Sequence, residues 1–133
     1  MGKLARVHRD LEVYRQVFDC AMTQFELTRR FPVDERYSLT DQVRRSSRSV
    51  TAAIAEAWRK RPYPAAFVAK LNDAEAEAAE TQTWIEYAVR CRYLTREHGA
   101  ALYRAYEQVL KTLVGMIRHA DTWALATGVD QRG

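Results

Sequence analysis

Three histidines, two cysteines and the carboxylates are the groups in this 133-residue chain that could bind a metal, attack a substrate or move a proton. Di-metal sites in helical bundles use Glu-x-x-His pairs on facing helices. Here the residues three positions before His8, His98 and His119 are Ala5, Thr95 and Met116, so the pattern is absent. Nucleophilic catalysis needs a hydroxyl or thiol against a histidine that a third group orients. Cys20 and Cys91 have no neighbouring histidine. With no CxxC pair, they read as core or semi-core side chains of a reduced chain. Gly2, Gly99, Gly115, Gly128 and Gly133 are scattered, which leaves no glycine-rich phosphate loop. The expectation is no catalytic residue, no metal and no cofactor, and the chain is not read as an enzyme.

Two acids stand apart from the rest. Glu56 sits in Ile54-Ala55-Glu56, and Glu80 directly precedes Thr81. Either they form a paired-carboxylate site or they are buried structural groups, satisfied by Arg44, Arg45 or backbone donors. The second reading is preferred.

The cations are segregated. Between Leu39 and Arg61 stand Arg44, Arg45, Arg48, Arg59, Lys60 and Arg61 against only Asp41 and Glu56. Between Pro64 and Val89 stands Lys70 against Asp73, Glu75, Glu77, Glu80 and Glu86. One consequence is charge-guided pairing of these two segments, within a subunit or between subunits. The other is a basic face open to phosphates, where each cation adds salt-dependent affinity. Arg59, Lys60 and Arg61, beside Trp58 and Tyr63, could contact backbone and stack bases. The competing reading is a solvated cation cluster that suits a helix C-terminus. The whole chain carries a formal net charge of +4, which permits nucleic-acid contact without requiring it.

Helices must position these groups. After Asp10, a candidate N-cap, Leu11, Tyr14, Phe18, Met22 and Phe25 recur at helical spacing, flanked by Val13 and Val17. Phe31-Pro32 ends that run. Ser38-Leu39-Thr40-Asp41 resembles a capping box, and Leu39, Val43, Ser46/Ser47, Val50, Ile54 and Ala57/Trp58 follow on one face. Pro62 and Pro64 break the chain, and Pro64 suits a first helical turn. The next stripe is Phe67, Leu71, Ala74, Ala78, Thr81, Ile85 and Ala88, with Trp84 beside it. Thr95 caps the last helix, with Leu102, Tyr106, Val109/Leu110, Leu113, Val114 and Ile117 on one face. The pattern predicts an all-α, antiparallel up-down-up-down four-helix bundle with helices over about 10–31, 39–60, 64–92 and 95–122. It is a single domain over 1–133 with polar tails at 1–9 and 127–133. Neither a signal-peptide core nor an 18-residue apolar run is present, so the expected location is the cytoplasm, away from membranes.

Three Trp, seven Tyr and four Phe are many for so short a chain. Trp58, Tyr63, Trp84, Tyr87, Tyr103 and Trp123 do not all fit one stripe, and Trp58, Tyr63, Trp84 and Tyr87 are candidates for a subunit interface.

These residues also carry a family likeness. Asp10-Leu11-Glu12-Val13-Tyr14, Phe31-Pro32, Tyr37 to Ser46, Ser49-Val50, Ile54-Ala55-Glu56, Ala74-Glu75, Glu80 to Thr83 and Tyr93-Leu94-Thr95 resemble the bacterial four helix bundle protein family. Its members are encoded in intervening sequences of some 23S rRNA genes and were once labelled S23 ribosomal proteins. The likeness spans about residues 10–118. The resemblance implies a homopentameric ring and a relation to the accessory protein of diversity-generating retroelements, which is basic and binds nucleic acid and a reverse transcriptase. It implies no enzyme activity. The expected partners are therefore further copies of the chain, and RNA or a nucleoprotein. The alternative is a protein-interaction scaffold that binds no nucleic acid. The chain departs from the family's S-[IV]-P-x-N-I-A-E-G stretch, with Thr51 at the proline, Ala53 at the asparagine and Ala57 at the glycine. Without the proline a straighter second helix is expected.

Overall fold

Four long helices account for most of residues 5–124, the part described by the computed structural model. They are α1 (Glu12–Thr28), α2 (Leu39–Arg59), α3 (Pro64–Arg90) and α4 (Arg96–Arg118). Two short 3-10 turns, His8–Asp10 and Val33–Glu35, precede α1 and α2. Among the described residues there is no strand, so the fold is an all-helical bundle. The expected tail at 127–133 lies outside the described residues.

The helix ends have local causes. Pro64 occupies the first turn of α3, where its missing N–H is not needed. Thr95 accepts a hydrogen bond from the His98 N–H at 3.0 Å and caps α4 as expected. The other two starts differ from expectation. Asp10 does not cap α1. Its carboxylate accepts the N–H groups of Arg6 (2.8 Å) and Val7 (3.2 Å) and so holds the preceding turn. At α2 the cap is supplied from outside the helix by Glu35, which accepts the Leu39 N–H at 3.2 Å and the Ser38 hydroxyl. Glu35 also accepts the Tyr93 hydroxyl at 2.9 Å, tying the start of α2 to the α3–α4 corner. Its carboxyl is held below the usual range, first by Ser38, then by Leu39 and Tyr93.

α2 packs on both α1 and α3, α3 on α4, and α4 on α1. The expected stripes of α2 and α3 are buried throughout. Phe67, Leu71, Ile54, Ile85, Tyr106 and Leu113 are essentially inaccessible. Full burial of such a side chain stabilises by about 1.5–3 kcal/mol relative to exposure. Small residues close the α2–α3 seam, where Thr81 Oγ1 and Ser46 Oγ share a hydrogen bond at 2.9 Å. Gly99 does the same between α3 and α4. A methyl placed there would stand 2.2 Å from a Val89 methyl.

α1 is rotated relative to expectation. Its buried face is Val13, Val17, Cys20, Gln24 and Thr28. Phe18 and Met22, expected on the core stripe, are 47% and 49% exposed. The reason is polar. The Gln24 amide nitrogen donates across the core to the Tyr106 hydroxyl (2.7 Å) and back to the Cys20 carbonyl (3.1 Å), which holds the side chain inside although its Oε1 has no partner among the described residues. Burial pushes the Tyr106 phenol up from its ordinary value, which keeps it neutral at this contact. Thr28 donates to the Phe25 carbonyl and accepts from Arg44.

The departures from the family pattern on α2 have a consistent placement. Ala53 and Ala57 are buried against the core. Thr51 lies in an uninterrupted helix and donates to the Ser47 carbonyl at 3.3 Å.

Candidate nucleic-acid interface

The first half of α2 presents an arginine cleft. Arg36, Thr40, Asp41, Arg44, Arg45, Arg48, Ser49 and Ala52 surround an open volume of about 490 Å³. From Thr40 onward these positions recur on α2 at helical spacing, so helical geometry gathers them, and Arg36 is brought in by the turn that precedes the helix. Their freedom differs. Arg44 is committed to α1: its Nε donates to Thr28 Oγ1 at 2.9 Å, and its guanidinium lies 4.7 Å from the Phe25 ring centre. Arg45 bonds Gln42 at 3.1 Å and stands 3.7 Å from Glu80. Both groups of that ion pair are well exposed, so the pair is worth little and is readily exchanged for another anion. Arg48 is exposed and, among the described residues, makes no ion pair or side-chain hydrogen bond. Arg36, which sequence reasoning did not single out, completes the cleft; its position just before Tyr37-Ser38 was the available signal.

The second basic cluster is less available. Trp58 is only 4% exposed and meets the Trp123 ring edge-on at 6.4 Å. The Arg61 guanidinium lies 3.2 Å from the Trp58 ring centre, and its Nε donates to the Trp58 carbonyl at 3.0 Å. Base stacking on Trp58 is therefore excluded, and Trp58 is not an interface residue either. Both expectations are corrected by its burial. Arg59 and Lys60 remain exposed, and Tyr63 is 67% exposed. The two acids meet their expectation in part: Glu80 has Arg45 as a partner at 3.7 Å, but the expected burial is not found. Glu56 and Glu80 are not buried: Glu56 pairs at the surface with Lys70 (3.5 Å), and Glu80 accepts the Trp84 indole N–H at 3.2 Å. Each lies on the surface where α2 meets α3, too open to act as a buried dyad. Of the remaining interface candidates, Tyr87 is exposed and Trp84 half-buried, and their rings lie 5.8 Å apart.

A surface that sequence reasoning missed lies between α1 and α2. Tyr14, Phe18, Ala21, Met22 and Phe25 face Thr51, Ala52 and Ala55 across an apolar groove of about 330 Å³. Arg48 and Ala52 line both this groove and the arginine cleft, so the two are continuous. The signal was present as the aromatic stripe of α1, read as core.

Among the described residues, no group of three or more His, Cys, Asp or Glu could hold a metal ion. No described helix is long and apolar enough to cross a membrane. Cys20 is buried and Cys91 exposed, both unpaired.

The comparisons agree with this architecture. A crystal structure of a protein with unknown function from the S23 ribosomal protein family of Bacteroides thetaiotaomicron VPI-5482 superposes with a TM-score of 0.70 at 32% identity. The match covers 79% of this chain and 97% of that one. No curated protein matches the sequence. The family model of the 23S rRNA-intervening sequence protein matches residues 9–115, and the chain belongs to that family.

Proposed function

We propose that this is a non-enzymatic, self-associating cytoplasmic bundle of antiparallel up-down-up-down helices that binds RNA through the arginine cleft of α2. The observation that carries the reading is Arg48, exposed beside Arg36 and Arg45 in one cleft with no ion-pair partner among the described residues. Guanidinium groups suit phosphate because they offer several donors in a planar fork. The helix order is supported by contacts that run in opposite senses, Arg45 with Glu80 and Glu56 with Lys70.

Self-association is supported by the apolar groove. Exposed Phe18 and Met22 form a contiguous patch with Tyr14 and Phe25, of a kind that marks contact surfaces. The occupant we propose is a second copy, which would present the exposed face of α3. That face carries Asp73, Ala76, Ala79 and Glu86, small residues and carboxylates that complement the groove and Arg48. Contact between two different patches is head-to-tail and gives a ring when the rotation closes. The pentameric number comes from the family resemblance.

A gel-shift series across salt with RNA and DNA tests the first part. Binding that weakens steeply with salt is expected. No binding to either at low salt overturns it and leaves the second reading, a protein-interaction scaffold, which the apolar groove favours by itself. Sedimentation tests the assembly; a monomer at micromolar concentration overturns the ring.

A further inference from the structure

The α3–α4 corner holds an arginine where the backbone favours glycine. Arg92 has φ 66°. Its N–H donates to the Val89 carbonyl at 2.9 Å, and the Tyr93 N–H donates to the Ala88 carbonyl at 2.8 Å. This is a Schellman turn with Arg92 in the left-handed position, which glycine fills most often because it has no Cβ to clash.

The corner surrounds an open cleft of about 530 Å³ lined by Arg90, Arg92 and Arg96, with Tyr93 and Thr95. The three arginines are exposed, and among the described residues none makes an ion pair or side-chain hydrogen bond. The one carboxylate in that stretch of chain is Glu97. The Tyr93 hydroxyl is taken by Glu35, so the polar groups free to meet a ligand are guanidiniums.

We infer that this corner is a second phosphate-binding site, for the backbone of the same RNA that the α2 cleft holds. The inference rests on the RNA reading above. Two observations join the clefts. Glu35, bonded to Tyr93, precedes Arg36 of the α2 cleft, while Tyr93 lines the corner cleft. The clefts therefore flank one hydrogen bond at one end of the bundle. A ligand with phosphates repeated along a chain engages both, and a single carboxylate or phosphate does not. The other large side chains of the lining, Val89, Tyr93 and Leu94, are half-buried or buried, so charge is what the cleft offers a ligand.

The test uses the full chain and a labelled RNA hairpin, with fluorescence anisotropy across a potassium chloride series. Arg90→Gln with Arg96→Gln should weaken binding by about tenfold and reduce the salt slope by about two. Arg92→Gly should weaken binding about threefold with the melting temperature unchanged or raised, because the turn loses its strained side chain. Arg104→Gln with Lys111→Gln, on the exposed face of α4, removes the same charge elsewhere and should leave affinity within about twofold. Corner variants that bind like the parent, while Arg45→Gln with Arg48→Gln weakens binding, overturn the corner site and leave the α2 reading intact. Equal loss from the α4 control pair also overturns it, as does polyglutamate competing as well as polyuridylate. A parent chain that binds no RNA removes both readings.

Discussion

α2 carries small residues on two sides, and the two sides have opposite fates. Toward α3 and the core, Ser46, Ser47, Val50, Ala53 and Ala57 are buried, and their small size lets the neighbouring backbone come close. Toward the outer edge of α1, Thr51, Ala52 and Ala55 face Tyr14, Phe18 and Met22 across an open groove. Small residues close a seam only when the partner brings its own small residues to meet them, as Ala74 and Ala78 do on α3. Against large side chains held apart at their bases, they leave space. The closed seam gives stability and the open one gives a surface.

Four experiments press on that difference, taken from the largest effect down. Ile54 and Ala55 are adjacent on α2, one inaccessible and one in the groove. Ile54→Ala should lower stability by about 2–5 kcal/mol in urea unfolding, whereas Ala55→Leu should change it by less than about 0.5 kcal/mol. Similar losses at both sites would erase the distinction.

Thiol chemistry reads the closed face of α1. Burial pushes the Cys20 thiol from 9.0 up to about 11, so its thiolate is about 100-fold scarcer than that of an unshifted thiol at mildly alkaline pH. Iodoacetamide should label exposed Cys91 and spare Cys20 until the chain opens. The sign of the linkage follows from the raised folded-state value. The stability associated with the buried neutral thiol is full below pH 9 and is lost as pH rises toward about 11. Equal labelling rates in the folded chain would place Cys20 on an open face.

Gly99→Ala tests whether the α3–α4 seam is as tight as the α2–α3 seam. The added methyl meets Val89 at 2.2 Å, and overpacking of this kind costs about 1–3 kcal/mol. A chain of unchanged melting temperature would show that the seam gives way. Phe18→Ser with Met22→Ser tests the open side. Stability should fall by less than for Ile54→Ala, because both side chains are half-exposed, while sedimentation should show a smaller species. An unchanged assembly would mean that the groove is not the contact.

Much of the fold was legible because apolar spacing and punctuation agreed. The stripes of α2 and α3 were readable to the residue, as were Pro64 at the head of α3 and Thr95 as a cap. The face of α1 was not. Tyr14, Phe18, Met22 and Phe25 form the more apolar stripe, yet Gln24 and Thr28 point inward. The Tyr106 hydroxyl, 82 residues away in sequence, accepts the Gln24 amide N–H, and Arg44 on α2 donates to Thr28. No local pattern contains that information. The basic positions were equally plain in the chain, but which of them are free was not. Arg44 and Arg61 lie against aromatic rings, Arg45 shares Glu80, and Arg48 stands open. Arg36 and the Arg90–Arg92–Arg96 corner were passed over because they lie in turns or at helix ends, where spacing carries no periodic signal.

Sequence by itself determined an all-helical chain, the places where its helices break, the arginine-rich character of α2 and membership of its family. The first three depend on interactions within a few residues, where dihedral preference and 3.6-residue spacing decide, and the last on a residue pattern that runs over 9–115. Tertiary structure alone decided the rotation of α1, the exposure of Glu56 and Glu80, the burial of Trp58 and the pairing of two arginine clefts across Glu35 and Tyr93. Each depends on a partner distant in the chain, because burial and hydrogen-bond satisfaction are settled only when helices meet.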